Sequence, residues 1–340
     1  MIDVLVVGGG PAGLATAILA AQAGLEVTVA EPRTAPVDKA CGEGLMPAAV
    51  TRLRALGIDP AGHRLKGIRY LDATHQADAL FRGPGGLGVR RTALHDALVE
   101  RTAQLAIPIV PIRITGFVQA GTQVEAAGIR ARHLVAADGL HSPIRRACGL
   151  DPPPSSHPRF GLRRHYRIAP WTDLVEVHWS PRSEAYVTPV AEDLIGVAIL
   201  GPPHADFATG LADFPALRER LAGAEPVGTV RGAGPLRQNV RHRVAAQVLL
   251  VGDASGYIDA LTGEGISVAL TQAAALVRCL RTGRSQDYER QWRKVTRTSR
   301  ALTAGLLWAR HSSVLAPRIV PAAARLPRTF TGIVDRIANA

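Results

Sequence analysis

The sequence predicts an α/β chain with a parallel, helix-flanked sheet, a smaller antiparallel sheet and a C-terminal helical segment. Three observations lead there. A strand, glycine turn, helix and second strand open the chain between Ile2 and Glu31. Two later apolar strands, Leu134–Ala137 and Gln247–Val251, run into Asp138-Gly139 and Gly252-Asp253. Between them, segments 174–179, 185–188 and 194–199 alternate as antiparallel strands do.

The opening unit is the most informative. Ile2 and Val4–Val7 form an apolar run short enough for a buried parallel strand. Gly8, Gly10 and Gly13 then match G-x-G-x-x-G, with Pro11 and Ala12 inside the turn. A helix is expected from Leu14 to Ala23, ended by Gly24, and a second strand from Leu25 to Ala30. Gly8 suits the tight turn, Gly10 lets backbone amides approach a pyrophosphate, and Gly13 lets helix and strand pack closely. The helix N-terminus offers unpaired N–H groups to an anion. Glu31 ends the second strand, where a carboxylate can accept from ribose hydroxyls. This is a dinucleotide-site pattern that leaves the dinucleotide open.

Downstream, residues 32–36 read as a loop, with Arg33 beside Glu31, and Pro47–Leu56 as a helix. Ile68–Phe81 reads as one strand, broken by the glycines at 83–86, and a helix begins at Arg90-Arg91 and runs to about Leu105. Ile107–Arg130 holds two or three strands. A long uncharged helix opens at Thr262-Gly263-Glu264-Gly265-Ile266 and reaches about Leu276. From Asp287 onward the chain is mainly helical, broken near Pro317 and Pro321.

Composition bounds the function class. At 340 residues, 47% hydrophobic and 20% charged, the chain is globular and long enough for two domains. The uncharged stretch ending at Leu25 has a glycine turn and no basic leader, unlike a membrane span or signal sequence. Cys41, Cys148 and Cys279 include no C-x-x-C pair, which excludes a disulfide framework and a cysteine zinc site and suits a reducing cytoplasm. His141, His165 and His178 have no metal-like spacing, so no metal is expected. Net charge is +12, and residues 281–340 supply +9 of it, with eleven Arg and one Lys against three acids. Solvated helix faces are the commoner use of such charge; peripheral docking to acidic lipid headgroups is the other. No nucleic-acid motif accompanies it.

The glycine unit with Glu31, the Asp138-Gly139 turn with Ser142 and Arg145, and Gly252-Asp253 with Gly263–Ile266 together resemble one flavoprotein superfamily. It contains para-hydroxybenzoate hydroxylase and the geranylgeranyl reductases. Asp38-Lys39-Ala40-Cys41-Gly42-Glu43-Gly44-Leu45 is similar to the D-K-x-C-G-x-G-L segment of the reductase branch. The resemblance implies a Rossmann-like FAD-binding domain over 1–70, 90–150 and 233–283. A substrate domain over 71–89 and 151–232 and a helical segment over 284–340 complete it. It implies FAD as cofactor, NAD(P)H as electron donor and an apolar small-molecule substrate.

Residue by residue, the resemblance implies that Glu31 holds the adenosine ribose, with Arg33 and Gly42 at the cofactor. Arg91, or its neighbour Arg90, would lie near the pyrophosphate or ribityl chain. Asp138 and Gly139 would lie close to the cofactor, Asp253 at the ribityl chain and the Gly263–Ile266 amides at the flavin pyrimidine edge. Cys41 would face the substrate as a proton donor or orienting group, with Tyr186, Trp179 and Thr188 as candidate pocket walls. The implied reaction is hydride transfer from reduced flavin to a C=C bond. A flavin monooxygenase acting on an aromatic or polyketide-like ring is the alternative. A non-catalytic flavoprotein docking through its basic tail, with Leu306, Leu307, Trp308 and Ile319 as an apolar stripe, is the third reading.

Overall fold

A computed structural model describes residues 1–151, 157–203 and 206–339. The proline run at 152–154, where the texture of the sequence changes, lies outside the described residues.

The first sheet is built on Ile2–Val7. That strand pairs in parallel with Ile129–Ala136 on one side and Val27–Ala30 on the other. Val248–Leu250 and Ile109–Val110 extend the parallel ladder outward. Both faces are covered, which is why Val4–Val7 is continuously apolar. Val4 and Val6 pack under helices Pro11–Gln22, Arg91–Gln104 and Gly265–Arg281, whereas Leu5 and Val7 pack against Val124, Ala126 and Ile144 on the far side.

The second sheet has seven strands in the spatial order 225–233, 160–167, 194–201, 184–191, 174–179, 67–71 and 76–80. The three expected strands are present as Leu174–Trp179, Glu184–Ala191 and Leu194–Gly201. Phe160–Arg167 and Glu225–Ala233 carry no apolar alternation and were not anticipated. The inward positions of the first include buried Arg163 and His165, and the second is an exposed edge strand. Ile68–Phe81 is a hairpin rather than one strand. The Asp72 carboxylate accepts from the N–H groups of Thr74 at 2.8 Å and His75 at 2.7 Å, which reverses the chain. Gly67–Leu71 pairs in parallel with Leu174–Trp179, so a domain boundary at residue 70 falls inside a strand of the second sheet.

The helices match closely. Pro47–Ala55 and Arg91–Gln104 lie where expected, and Gly265–Arg281 runs one turn longer. The C-terminal segment comprises Tyr288–His311, Ile319–Arg325 and Pro327–Ala338. Pro321 does not break a helix: it sits in a first turn, where the missing N–H would have had no intrahelical partner. The expected apolar stripe is not formed, because Leu307 is buried and Ile319 packs on the second core, leaving Trp308 69% exposed. No helix among the described residues is long and apolar enough to cross a membrane.

Candidate active site

A cavity of about 280 Å³ lies between the two sheets. One side is polar backbone from the first sheet's strand ends; the other is an apolar wall from the second sheet.

The polar side starts at the glycine turn. Gly8 has φ +106°, and a Cβ there would sit 2.5 Å from the Ala137 carbonyl; a Cβ on Gly13 would lie 1.9 Å from Gly8 O. Only glycine fits either place. Above Gly10, by contrast, the space is open except for the Arg91 guanidinium 3.8 Å from where a Cβ would be. The helix that follows has no side-chain cap, so its first amides face the cavity beside Pro11 and Ala12. Arg91 is 6% exposed, and its Nη1 has no hydrogen-bond partner. Burial lowers its pKa, the mark of a cation whose partner is a ligand or nothing. Arg90 does not line the cavity. An unpaired buried cation over an open glycine at a helix N-terminus suits a diphosphate.

Glu31 lies just beneath this turn. Its carboxylate accepts from Gly9 N–H at 2.8 Å and from the Arg33 backbone and side chain. Burial opposes its charge, but those bonds outweigh burial and hold the carboxyl below its usual pKa. His95 was not foreseen; its Nε2 lies 2.9 Å from Gly9 O and so donates to it.

Asp138, Gly139 and Asp253 line the next stretch. One Asp138 oxygen caps the short helix Pro143–Ala147 by accepting from Ile144 N–H; the other is buried without a partner. Burial raises this carboxyl's pKa. Ser142 caps the same helix, and buried Arg145 ties the turn to the Ala254 carbonyl. Both therefore serve the scaffold. Lys39, also unforeseen, is 3.7 Å from Asp253 and bridges the two turns. Gly263, Gly265 and Ile266 line the cavity at the uncapped start of Gly265–Arg281. The Glu264 side chain does not. It turns away toward helix Tyr288–His311, where Ser299 Oγ donates to it at 3.1 Å. Only its backbone stays with the cradle.

Cys41 and Gly42 stand where the polar side meets the apolar wall. Burial pushes the Cys41 thiol pKa up, and its Sγ accepts from Glu43 N–H at 3.4 Å. Glu43 is the organiser that sequence reasoning missed. It adopts φ +60°, and its carboxylate accepts from Arg91 N–H at 2.8 Å and meets His165 Nε2 at 2.6 Å. His165 in turn contacts Arg163, which pairs with Asp38. The signal in the sequence was weak: two polar residues, Arg163 and His165, on an inward strand face.

The apolar wall includes Ile68, Tyr70, Val175, Val177, Tyr186 and Leu200, closed at the end by Val334 and Ile337 of helix Pro327–Ala338. Thr188 lines the cavity and donates to Gly42 O at 2.8 Å; Tyr186 donates to Leu261 O at 2.6 Å. Two residues upstream on the same strand, buried Glu184 pairs with Arg159 and with Arg310 of the C-terminal helices. Trp179 does not reach the cavity: it packs at a tilt against Tyr70 with centroids 5.2 Å apart.

A family model for an FAD-binding domain matches residues 3–84. A menaquinone reductase of Mycobacterium tuberculosis is 30% identical over 323 residues, covering 85% of this chain and 78% of the relative. A digeranylgeranylglycerophospholipid reductase of Methanosarcina acetivorans is 26% identical over 86% of this chain and 81% of its own length. The chain belongs to the geranylgeranyl reductase-like branch of the FAD-dependent oxidoreductases. The fold of this oxidoreductase is also that of the flavin-dependent brominase Bmp2, with a TM-score of 0.86 at 17% identity over 100% of this chain and 94% of the other. Within this oxidoreductase, the open glycine turn and unpaired Arg91 are the features that fit FAD.

Proposed function

We propose that the protein reduces a C=C bond in an apolar, prenyl-bearing small molecule, with NAD(P)H as electron donor. The observation that carries this reading is the apolar wall that adjoins both Cys41 and the Gly263–Ile266 cradle in one cavity. Relatives named for reducing menaquinone and a geranylgeranylated lipid support an apolar substrate.

In this reading Arg91 and the Ala12 and Gly13 amides would hold the FAD diphosphate, Glu31 the ribose and Asp253 the ribityl chain. The amides of Gly263, Gly265 and Ile266 face the pyrimidine edge, where a helix N-terminus stabilises negative charge. Bound there, FAD supplies the two-electron chemistry. The protein's part is to orient, dry and protonate. Val175, Val177, Leu200, Val334 and Ile337 exclude water from the substrate. Cys41, protonated because it is buried, offers its S–H to the substrate carbon, while the Glu43 amide keeps the sulfur in place.

The test is anaerobic mixing of the photoreduced holoenzyme with a short-chain prenylated quinone or a geranylgeranyl compound. Flavin reoxidation with a product heavier by two hydrogens is expected. No reaction there, with hydroxylation of an aromatic ring once air is admitted, would establish the monooxygenase chemistry instead.

We also propose that the C-terminal segment rests on an anionic membrane surface. The +9 charge of residues 281–340 and the exposed Trp308, Val314, Leu326 and Ile333 support this. Flotation of the full chain with acidic but not neutral vesicles, weakened by salt and by Trp308→Asp, is the expected result. Equal flotation with both would refute the electrostatic attachment.

A further inference from the structure

A second, smaller cavity of about 50 Å³ lies behind the cofactor cradle. It shares Gly252, Asp253, Tyr257, Thr262, Gly265 and Ala269 with the large cavity, so one turn of chain separates the two. Its far wall is helix Tyr288–His311, which contributes Thr296, Ser299, Arg300 and Thr303. The space mixes apolar walls with polar groups and is large enough for at least one water.

Glu264 reaches into this chamber at 3% exposure. One carboxylate oxygen accepts from Ser299 Oγ at 3.1 Å; the other is buried and has no partner. A fully buried carboxylate normally carries a cation or several N–H donors. Glu264 has neither. The hydroxyls of Thr262 and Thr303 bond each other at 2.9 Å. Arg300 lines the chamber on the helix side, with Asp253, Tyr257 and Asp259 on the loop side; helix Gly265–Arg281 offers no charged group, only Gln272. Glu264 is therefore an acid facing a small chamber with room for water, directly behind the amides of the cofactor cradle.

We propose that Glu264 and its chamber form a proton-uptake site coupled to the arrival of electrons on the cofactor. The inference rests on FAD lying with its pyrimidine edge at Gly263–Ile266. Two-electron reduction with uptake of one proton leaves one negative charge at that edge. Across a single turn of chain and at low dielectric, that charge favours the protonated form of Glu264. The second proton then comes from solvent through the chamber to the carboxylate, so two electrons and two protons are taken up per flavin. Before reduction, burial already lifts the Glu264 pKa to about 7, which leaves it poised to respond. The proton stored there keeps the reduced site neutral overall, although the ring itself stays anionic.

The experiment measures the potential of bound FAD against pH, by dye equilibration with dithionite as reductant, in the wild type and Glu264→Gln. Each coupled proton contributes about 30 mV per pH unit for a two-electron couple. Above about pH 7 the wild type should fall by about 60 mV per pH unit and Glu264→Gln by about 30 mV. Equal slopes would overturn the proposal. Should Glu264→Gln not fold, proton uptake by the wild type in weakly buffered indicator dye decides alone. Two protons per flavin above about pH 7 are expected, and one would overturn it. If neither protein takes up FAD, the cofactor assignment itself fails, and the proton site fails with it. A merely structural Glu264 would shift FAD affinity or melting temperature without changing either proton count.

Discussion

Replacing Arg91 with Met should separate cofactor affinity from fold stability by moving them in opposite directions. The guanidinium is nearly fully buried, pairs with no carboxylate among the described residues, and has one nitrogen without a partner. Such a group penalises the FAD-free protein by about 1–3 kcal/mol. With a diphosphate above Gly10 the guanidinium, whose Nη2 lies nearest that space, makes a charge-assisted bond that contributes about 1.5–3 kcal/mol. Met fills the volume and removes both effects. The Kd for FAD should rise about 10- to 150-fold at about 1.4 kcal/mol per tenfold. The FAD-free variant should meanwhile melt at or above the wild type. Quenching of flavin fluorescence on binding gives the first quantity, and calorimetric melts with and without FAD give the second. An unchanged Kd would refute the assignment of Arg91 to the diphosphate. A FAD-free melt lowered as much as the saturated one would show that Arg91 is a packing residue.

Three further outcomes test the same site. Cys41→Ser should keep FAD affinity and the flavin spectrum while cutting substrate reduction by about 10²-fold or more, read as kcat in single-turnover mixing. His165→Ala removes one of the hydrogen-bond partners of the buried Glu43 carboxylate, leaving Arg91 N–H, and should cost about 1–3 kcal/mol in denaturant unfolding, with part recovered by His165→Gln. Glu264 binds its proton more tightly in the folded state, so its contribution to stability is complete at acid pH and declines between about 4.5 and about 7. That decline amounts to about 3 kcal/mol in the FAD-free protein and should be missing from Glu264→Gln in melts across that range.

The legible parts of this molecule were those whose reasons are local. The strand, glycine turn and helix at Ile2–Gln22 declare themselves because each glycine answers a steric demand within a few residues. The three central strands of the second sheet were visible because their apolar side chains alternate. Phe160–Arg167 was hidden by the same rule: its inward Arg163 and His165 break the pattern, and their partners Asp38 and Glu43 lie 125 and 122 residues away in sequence. Glu264 shows the converse. Its place in a cofactor-binding turn was readable, but the direction of its side chain was decided by Ser299 on a helix 35 residues later. Trp179 likewise read as a pocket wall and instead packs at a tilt against Tyr70, a pairing no spacing along the chain announces.

Strand Glu184–Ala191 ties several working parts together. Its Thr188 holds the Cys41 loop, Tyr186 holds the loop before Gly263, and Glu184 holds the C-terminal helices. Thiol loop, cradle loop and helix Tyr288–His311 are thus hung from alternate residues of one rail. Selection for a new substrate can scarcely act on this strand without detuning the chemistry. Ile68, Val175 and Val177 face the same space without such tethers. Specificity is free to drift on those neighbouring strands, and a designer seeking a different substrate would begin there.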